Sequence, residues 1–359
     1  MRHKFIINYQ IAYILRQADD LDNTFELMPL LTGTVICITR IISITRNSGM
    51  FKALLQHMQD DWNNLLTDEE TQILTFYAEK SRKLTLAYSI CICGFIFCFA
   101  SLPLAGPILD IISPLNETRP RKLPQLADFI VLDQEKHYYT LLLILYLDYI
   151  LCVSVVIATD TLYVFLVEHI CGMYDILCNR LRNLTAHDKL QWIDGDYMHE
   201  EIDRHIRRCI QLHERILLFI EMMESTVALF LFFEIGLGLL LHTSSCVMII
   251  VRTGSSEIMR YVALGIMQSC RLFFNNWAGQ EVTDHSVQVS IAAYNGMWYN
   301  ASIKVQKLLL FLITRGQKAS QVTIAKLYVI NLNNFSKVMK TSVSYCTVMI
   351  SLRESSRDI

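Results

Sequence analysis

Apolar and polar residues succeed one another along this chain in long blocks. Residues 27–44, 84–104, 140–167, 216–241, 258–274 and 322–350 are mostly apolar. Their lengths approach or exceed the roughly 20 residues that carry a helix across a bilayer. Residues 5–15 form a shorter seventh block, broken by Asn8 and Gln10. Met1-Arg2-His3-Lys4 ahead of it imitates a secretory signal, but no small-residue cleavage site follows, so the block reads as a partial membrane segment. Residues 305–314 are apolar but too brief to span alone, which predicts a half-helix or an interfacial piece.

The polar stretches between these blocks differ in character. Residues 47–83 mix acids and bases around Trp62, and residues 107–137 carry Pro114, Pro120 and Pro124 and read as an irregular loop. Residues 168–215 are charged yet periodic, with Ile202, Ile206, Ile210 and Leu217 at helical spacing. That pattern predicts a helical extension beyond the bilayer. No tandem repeat or low-complexity segment interrupts the chain.

Composition sharpens this picture. Of 359 residues, 53% are hydrophobic and 18% charged, with a mean hydropathy of +0.33. Soluble domains carry about 25% charged residues, so the expected solvent for much of this surface is lipid. The net charge of −2 argues against a nucleic-acid partner. Eleven cysteines, an odd and scattered set lying largely in apolar runs, do not form a disulfide framework. The chain reads as an all-α, polytopic membrane protein with seven helices.

Orientation follows from Lys and Arg near the helix ends. Residues 47–83 carry Lys52, Lys80, Arg82 and Lys83; residues 168–215 carry Arg180, Arg182, Lys189, Arg204, Arg207, Arg208 and Arg215. Residues 107–137 carry Arg119, Arg121, Lys122 and Lys136, and residues 242–257 only Arg252. The bias places the first two loops in the cytosol, with the N-terminus inside and the C-terminus outside. The sequon at Asn116 then faces outward and is the candidate for glycosylation. Those at Asn183 and Asn300 face inward, and Asn334 lies in the last helix.

Catalytic signatures are missing. His199-Glu200 resembles the start of a zinc-protease helix, but Asp203 stands where the second histidine belongs and His205 comes too late. Gly236-Leu237-Gly238 lacks a third glycine and suits close helix packing. No phosphate loop or nucleophile elbow occurs, and no cofactor is implied.

Ionisable residues inside the apolar blocks say more. Asp148 and Asp160 interrupt one block; Glu221, Glu224 and Glu234 punctuate the next. Each costs roughly 2.5–3.5 kcal/mol in hydrocarbon on insertion scales. Asp160, Glu221 and Glu224 read best as lying in water where the helices overhang the bilayer, leaving Asp148 and Glu234 as the functional candidates. Phe95, Phe97 and Phe99 in one helix, with Tyr138, Tyr139, Tyr146 and Tyr149 in the next, suit either an apolar ligand cavity or ordinary packing and interfacial belts. In the last helix, Thr341, Ser344, Tyr345, Val348 and Ser351 recur at three- and four-residue steps. Such a stripe lines a pore closed by dewetting, or bonds back to its own backbone and to neighbouring helices.

Trp298-Tyr299, Arg315, Phe335-Ser336-Lys337-Val338 and the run Lys340-Thr341-Ser342-Val343-Ser344-Tyr345 resemble the C-terminal signature of insect odorant receptors. Asp61-Trp62, Gly279-Gln280-Glu281, Ser286 and Ala292-Ala293-Tyr294 fit the same family. The short loop between the fourth and fifth helices points to a tuned receptor instead of the shared co-receptor.

The resemblance implies a seven-helix fold with topology inverted relative to G-protein-coupled receptors. It implies assembly with the co-receptor into a hetero-tetrameric, odorant-gated, nonselective cation channel in the plasma membrane of olfactory neuron dendrites. Its partners would be a volatile odorant, the co-receptor and membrane lipid. The family's pore constriction maps onto Val348, with Tyr345, Ser344, Thr341 and Ser351 along the wall. Its odorant cavity maps onto the region of Phe95, Phe97, Phe99, Tyr138, Tyr146 and Tyr149.

One domain then covers residues 1–359: a partial first helix at 1–21, cavity helices at 22–167, a cytoplasmic extension at 168–215, and two further helices at 216–276. A cytoplasmic anchor follows at 277–320, the pore helix at 321–352 and a tail at 353–359. The family's polar N-terminal tail and full first helix are largely missing. A gustatory-type channel and a G-protein-coupled receptor are the alternatives, although neither the usual gustatory terminal block nor the Asp/Glu-Arg-Tyr and Asn-Pro-x-x-Tyr signals occur.

Overall fold

A computed structural model describes residues 21–112, 137–183, 195–252, 254–296, 298–300 and 302–357. The short apolar block at 5–15 and the sequon at Asn116 lie outside these residues. The described elements, in order, are α1 (Leu21–Arg46), α2 (Ser48–Asn63), α3 (Asp68–Ile112), α4 (Tyr138–Arg182), α5 (Gly195–Val251) and α6 (Ser255–Asn295). A 3₁₀ turn at Trp298–Asn300, α7 (Ile303–Gln317), a hairpin of β1 (Thr323–Ile324) and β2 (Tyr328–Val329), and α8 (Leu332–Arg357) complete the set. Stretches of α3, α4 and α5 are long and apolar enough to cross a membrane.

These helices outrun a bilayer. The 57 residues of α5 extend roughly 85 Å at 1.5 Å per residue, against a hydrocarbon core of about 30 Å. Their overhanging ends make the densest core. Between residues 163 and 181 of α4 most side chains are buried, among them Tyr163, Val167, Tyr174 and Leu181. A helix apolar on all sides has to be enclosed on all sides, and here Ile206, Leu212 and Phe219 of α5, Val282 and Val289 of α6, and Val305 and Leu309 of α7 enclose it. Ile206 is buried while Ile202 and Ile210 pack at the edge of this core, as their helical spacing requires. The polar stretch 47–83 is helical too, because Leu54, Met58 and Asp61 give α2 one buried face.

The last apolar block is not one helix. Residues 322–330 form a tight hairpin in which Thr323 pairs with Val329 and Ile324 with Tyr328. Ala325 and Lys326 turn it with φ of 52° and 60°, left-handed values inside the three-residue loop between Ile324 and Tyr328, where the Leu327 N–H donates to the Ile324 carbonyl at 3.0 Å. Val322, Ile324 and Ile330 drive into the core, and the Glu224 carboxylate accepts from the backbone N–H and hydroxyl of Thr323. Helix α8 starts only after Asn331, whose side chain accepts from the Asn334 N–H at 2.8 Å and caps the first turn. At Gly279 of α6 the Ile330 carbonyl approaches so closely that a Cβ would sit 2.3 Å from it. Only glycine fits there.

Candidate functional site

Above the packed end, α1, α3, α4 and α6 separate around a cavity of about 150 Å³. Helical periodicity decides which side chains reach it. On α3, Ile92, Phe95, Ile96 and Phe99 share one face; on α4, Tyr149, Cys152, Val153 and Val156 share another. Pro29 and Gly33 of α1 stand one turn apart and leave the room, since a Cβ built on Gly33 would meet nothing within 4 Å. A cavity of this size has room for a benzene-sized guest, and its wall is mostly aliphatic and aromatic, with Thr34, Asp148 and Arg271 as polar members.

Phe95, Phe99 and Tyr149 are on this wall, and the Phe99 and Tyr149 rings meet edge to face at 5.7 Å. Phe97 is not. It stands two residues from Phe95, about 200° around the helix, and is 77% exposed on the outer face. Tyr146 is half-buried beside the cavity and donates to the Ala100 carbonyl at 2.6 Å. Tyr138 is buried at the start of α4 against Tyr139.

At the cavity floor and one to two turns from it lie charges of which the sequence reading singled out Glu234, placed Asp160 in water and left Arg40 and Arg271 unremarked. Ile36 of α1 is followed by Arg40, Val156 of α4 by Asp160 and Met267 of α6 by Arg271, while on α3 the turn before Ile92 brings Tyr88. On α5, Leu241 lines the cavity and Glu234 lies two turns before it. The order is reversed on α3 and α5, so successive long helices run up and down.

Arg40 sits 2.7 Å from both Asp160 and Glu234, and Arg271 sits 2.8 Å from Glu234, with all four side chains buried. Tyr88 donates to Asp160, Asn275 donates to Asp160 at 3.3 Å, and Gln268 donates to Glu234 at 3.4 Å. The Phe230 ring lies 5.2 Å under the Arg40 guanidinium. Two cations and two anions balance, which is how buried charge is tolerated at membrane depth. The reading of Asp160 as a residue in open water is corrected here: it is fully buried. Glu221 is exposed, and Glu224 holds the hairpin. Asp148 is on the cavity wall. A balanced set was readable in principle, because Arg40 and Arg271 inside apolar blocks match Asp160 and Glu234 in number and sign.

Around α8, Tyr345 and Val348 are 49% and 51% exposed, and Ser344 and Ser351 are exposed with them. Thr341 is half-buried and its hydroxyl donates to the Lys337 carbonyl at 2.8 Å. Ser342 and Cys346 face inward and are buried. Phe335 of α8 meets Phe273 of α6 edge to face at 5.7 Å, two residues from Arg271. That contact joins the start of α8 to α6, the helix that carries Met267 and Arg271 on the cavity wall.

A family model described as 7tm Odorant receptor matches residues 20–343. Odorant receptor 10 of Aedes albopictus is 26% identical over 156 residues, which are 43% of this chain and 41% of that protein, so the match spans well under half the relative's length. Odorant receptor 13a of Drosophila melanogaster is 21% identical over 376 residues, 96% of this chain and 84% of that one. The solved structure of the insect olfactory receptor OR5 from Machilis hrabei in complex with eugenol has the same fold. It superposes with a TM-score of 0.79 at 13% identity, covering 98% of this chain and 87% of that one. With its model matched over nearly the whole length, the chain belongs to the 7tm Odorant receptor family.

Proposed function

We propose that this chain is the odorant-binding subunit of an odorant-gated, nonselective cation channel, acting with a co-receptor in a hetero-tetramer at the plasma membrane. The observation that carries the reading is the apolar cavity between α1, α3, α4 and α6, closed beneath by a charge-balanced cluster. A small volatile with an apolar body fills such a space by the hydrophobic effect alone. The eugenol held by the Machilis receptor is a guest of comparable kind. Phe95, Phe99 and Tyr149 form the aromatic wall in this reading.

Thr341, Ser344, Tyr345, Val348 and Ser351 line the pore where copies of α8 meet, and Val348 forms the apolar constriction that shuts by dewetting. A ligand that binds the open arrangement more tightly shifts the population towards opening. The N-terminus is cytosolic, the packed ends of α4 to α7 form the cytoplasmic anchor, and Asn116 faces outward. The short connection between α4 and α5 supports the tuned role over that of the co-receptor.

Whole-cell currents test this. Cells expressing the chain together with a co-receptor, challenged with a broad volatile panel, should pass cation current on stimulation, and cells expressing either subunit alone should lack the chain's ligand profile. Identical profiles with and without this chain would reject it as the ligand-binding subunit.

A further inference from the structure

The polar groups bordering the cavity are not evenly provisioned. Both carboxylates of the buried cluster are engaged at both oxygens: Asp160 by Arg40, Asn275 and Tyr88, and Glu234 by Arg40, Arg271 and Gln268. The donors are not all used. Arg271 gives one bond to Gln268 at 3.1 Å and one to Glu234 at 2.8 Å, out of five N–H groups on a guanidinium. Its Nε is buried facing Asp160 Oδ2 at 3.7 Å, so the N–H groups left for a guest are the second ones on Nη1 and Nη2. Of the four cluster charges, Arg271 alone is also on the cavity wall. The other charged wall residue, Asp148, is already partnered within the protein.

We propose that Arg271 is the specificity-determining polar contact of this cavity. It selects neutral guests that carry a hydrogen-bond acceptor at one end, such as a ketone, ester or ether oxygen. The inference rests on the cavity reading above and adds the rule by which guests are ranked. Three physical steps lead to it. The unused acceptor of the cluster, Asn275 Oδ1, is off the cavity wall, whereas the spare guanidinium N–H groups of Arg271 are on it, so an acceptor is rewarded. A hydrogen bond to a charged donor is stronger than one between neutral groups. The cluster is already neutral in sum, so a carboxylate or an ammonium guest would add an uncompensated charge at membrane depth and is penalised. A guest needs no donor of its own, so a methyl ether should serve as well as the matching alcohol. The planar fork also makes Arg271 irreplaceable by lysine for this purpose, although lysine keeps the charge that Glu234 requires.

The experiment uses the full chain with a co-receptor, surface labelling of each variant, and chain-length-matched sets of alkane, methyl ether, alcohol, methyl ketone, methyl ester, carboxylate and amine, in linear and aromatic forms. On the unmodified chain, ketones, esters and ethers should act at concentrations roughly tenfold or more below the matched alkanes. Ethers should equal alcohols, and carboxylates and amines should trail. Arg271→Lys should remove that tenfold preference while leaving alkane responses in place. Gly33→Phe, which fills the cavity, should silence all classes.

Three results overturn the proposal. If alkanes, amines or carboxylates lead on the unmodified chain, or if no member of the panel acts, the ranking rule fails without reference to any variant. If Gly33→Phe silences the receptor but Arg271→Lys at the surface keeps the full preference, Arg271 is not the selecting group and the cavity reading survives. If Gly33→Phe at the surface responds normally, the cavity reading fails and the proposal fails with it.

Discussion

Arg40 and Glu234, 194 residues apart in the chain, form a 2.7 Å ion pair from which water is shut out on both sides. Asp160 completes the arrangement on the other guanidinium nitrogen. Three helices are thereby fastened at one level, and Arg271 brings in the fourth.

The first prediction concerns that fastening. Removing one partner of a buried pair leaves the other uncompensated, at a cost of about 3–5 kcal/mol. Arg40→Met is therefore expected to reduce the folded, surface-expressed population severely. Exchanging the ionic set for apolar residues of similar size (Arg40→Met with Asp160→Leu, and Glu234→Leu with Arg271→Met) should restore much of it. Size-exclusion profiles of detergent-solubilised protein give the readout. A monodisperse, unfolding-resistant Arg40→Met single variant would contradict the pairing.

A second prediction separates two phenylalanines that lie one residue apart from a common neighbour. Phe99 is on the cavity wall and Phe97 is on the outer face. Phe99→Ala enlarges the cavity and should reorder the ligand ranking on a volatile panel, whereas Phe97→Ala should leave ranking and potency unchanged. The reverse pattern in dose–response curves would mean that α3 is rotated from the position described.

At the junction of hairpin and bundle, Gly279 has no room for a side chain. Gly279→Ala forces the Ile330 carbonyl or α6 to move, an overpacking cost of about 1–3 kcal/mol. A lowered melting temperature of the purified protein is expected. An unchanged or raised value would show that the hairpin is free to shift.

The pore proposed along α8 gives a fourth. If Val348 forms its constriction and closes it by dewetting, a charge there would hold water in place. Val348→Lys should therefore produce either a standing leak without stimulus or a channel that no longer conducts cations. Normal ligand-gated currents from this variant, co-expressed with a co-receptor, would remove Val348 from the gate.

How far the fold was legible follows from what decides each element. The blocks at 84–104 and 140–167 sit inside α3 and α4, because long apolar runs have few other solutions. The true ends of those helices were hidden. Charged residues such as Glu70 and Arg180 lie beyond the apolar blocks, yet they are held in helices by pairing with each other at 2.6 Å across α3 and α4. Hydropathy cannot see such a partner.

The hairpin before α8 was masked for a related reason: Val322, Ile324 and Ile330 are as apolar as a membrane helix. Only the left-handed pair Ala325-Lys326 and the capping Asn331 set them apart. Neither residue type at the turn announces that conformation. Asp160 was misplaced because its cations lie 120 residues before it and 111 after it in the sequence, in different helices. Phe97 shows the opposite lesson, since a simple helical wheel separates it from Phe95.

The central claim is that a small guest enters the space between α1, α3, α4 and α6 and opens the channel from there. Direct density settles it: a cryo-electron microscopy map of the chain assembled with a co-receptor, in the presence of the most potent volatile found on the panel. The account predicts density for that molecule against Phe95, Phe99 and Tyr149, with its polar end towards Arg271. An empty cavity in an activated map, or ligand density at another place in the chain, would contradict it.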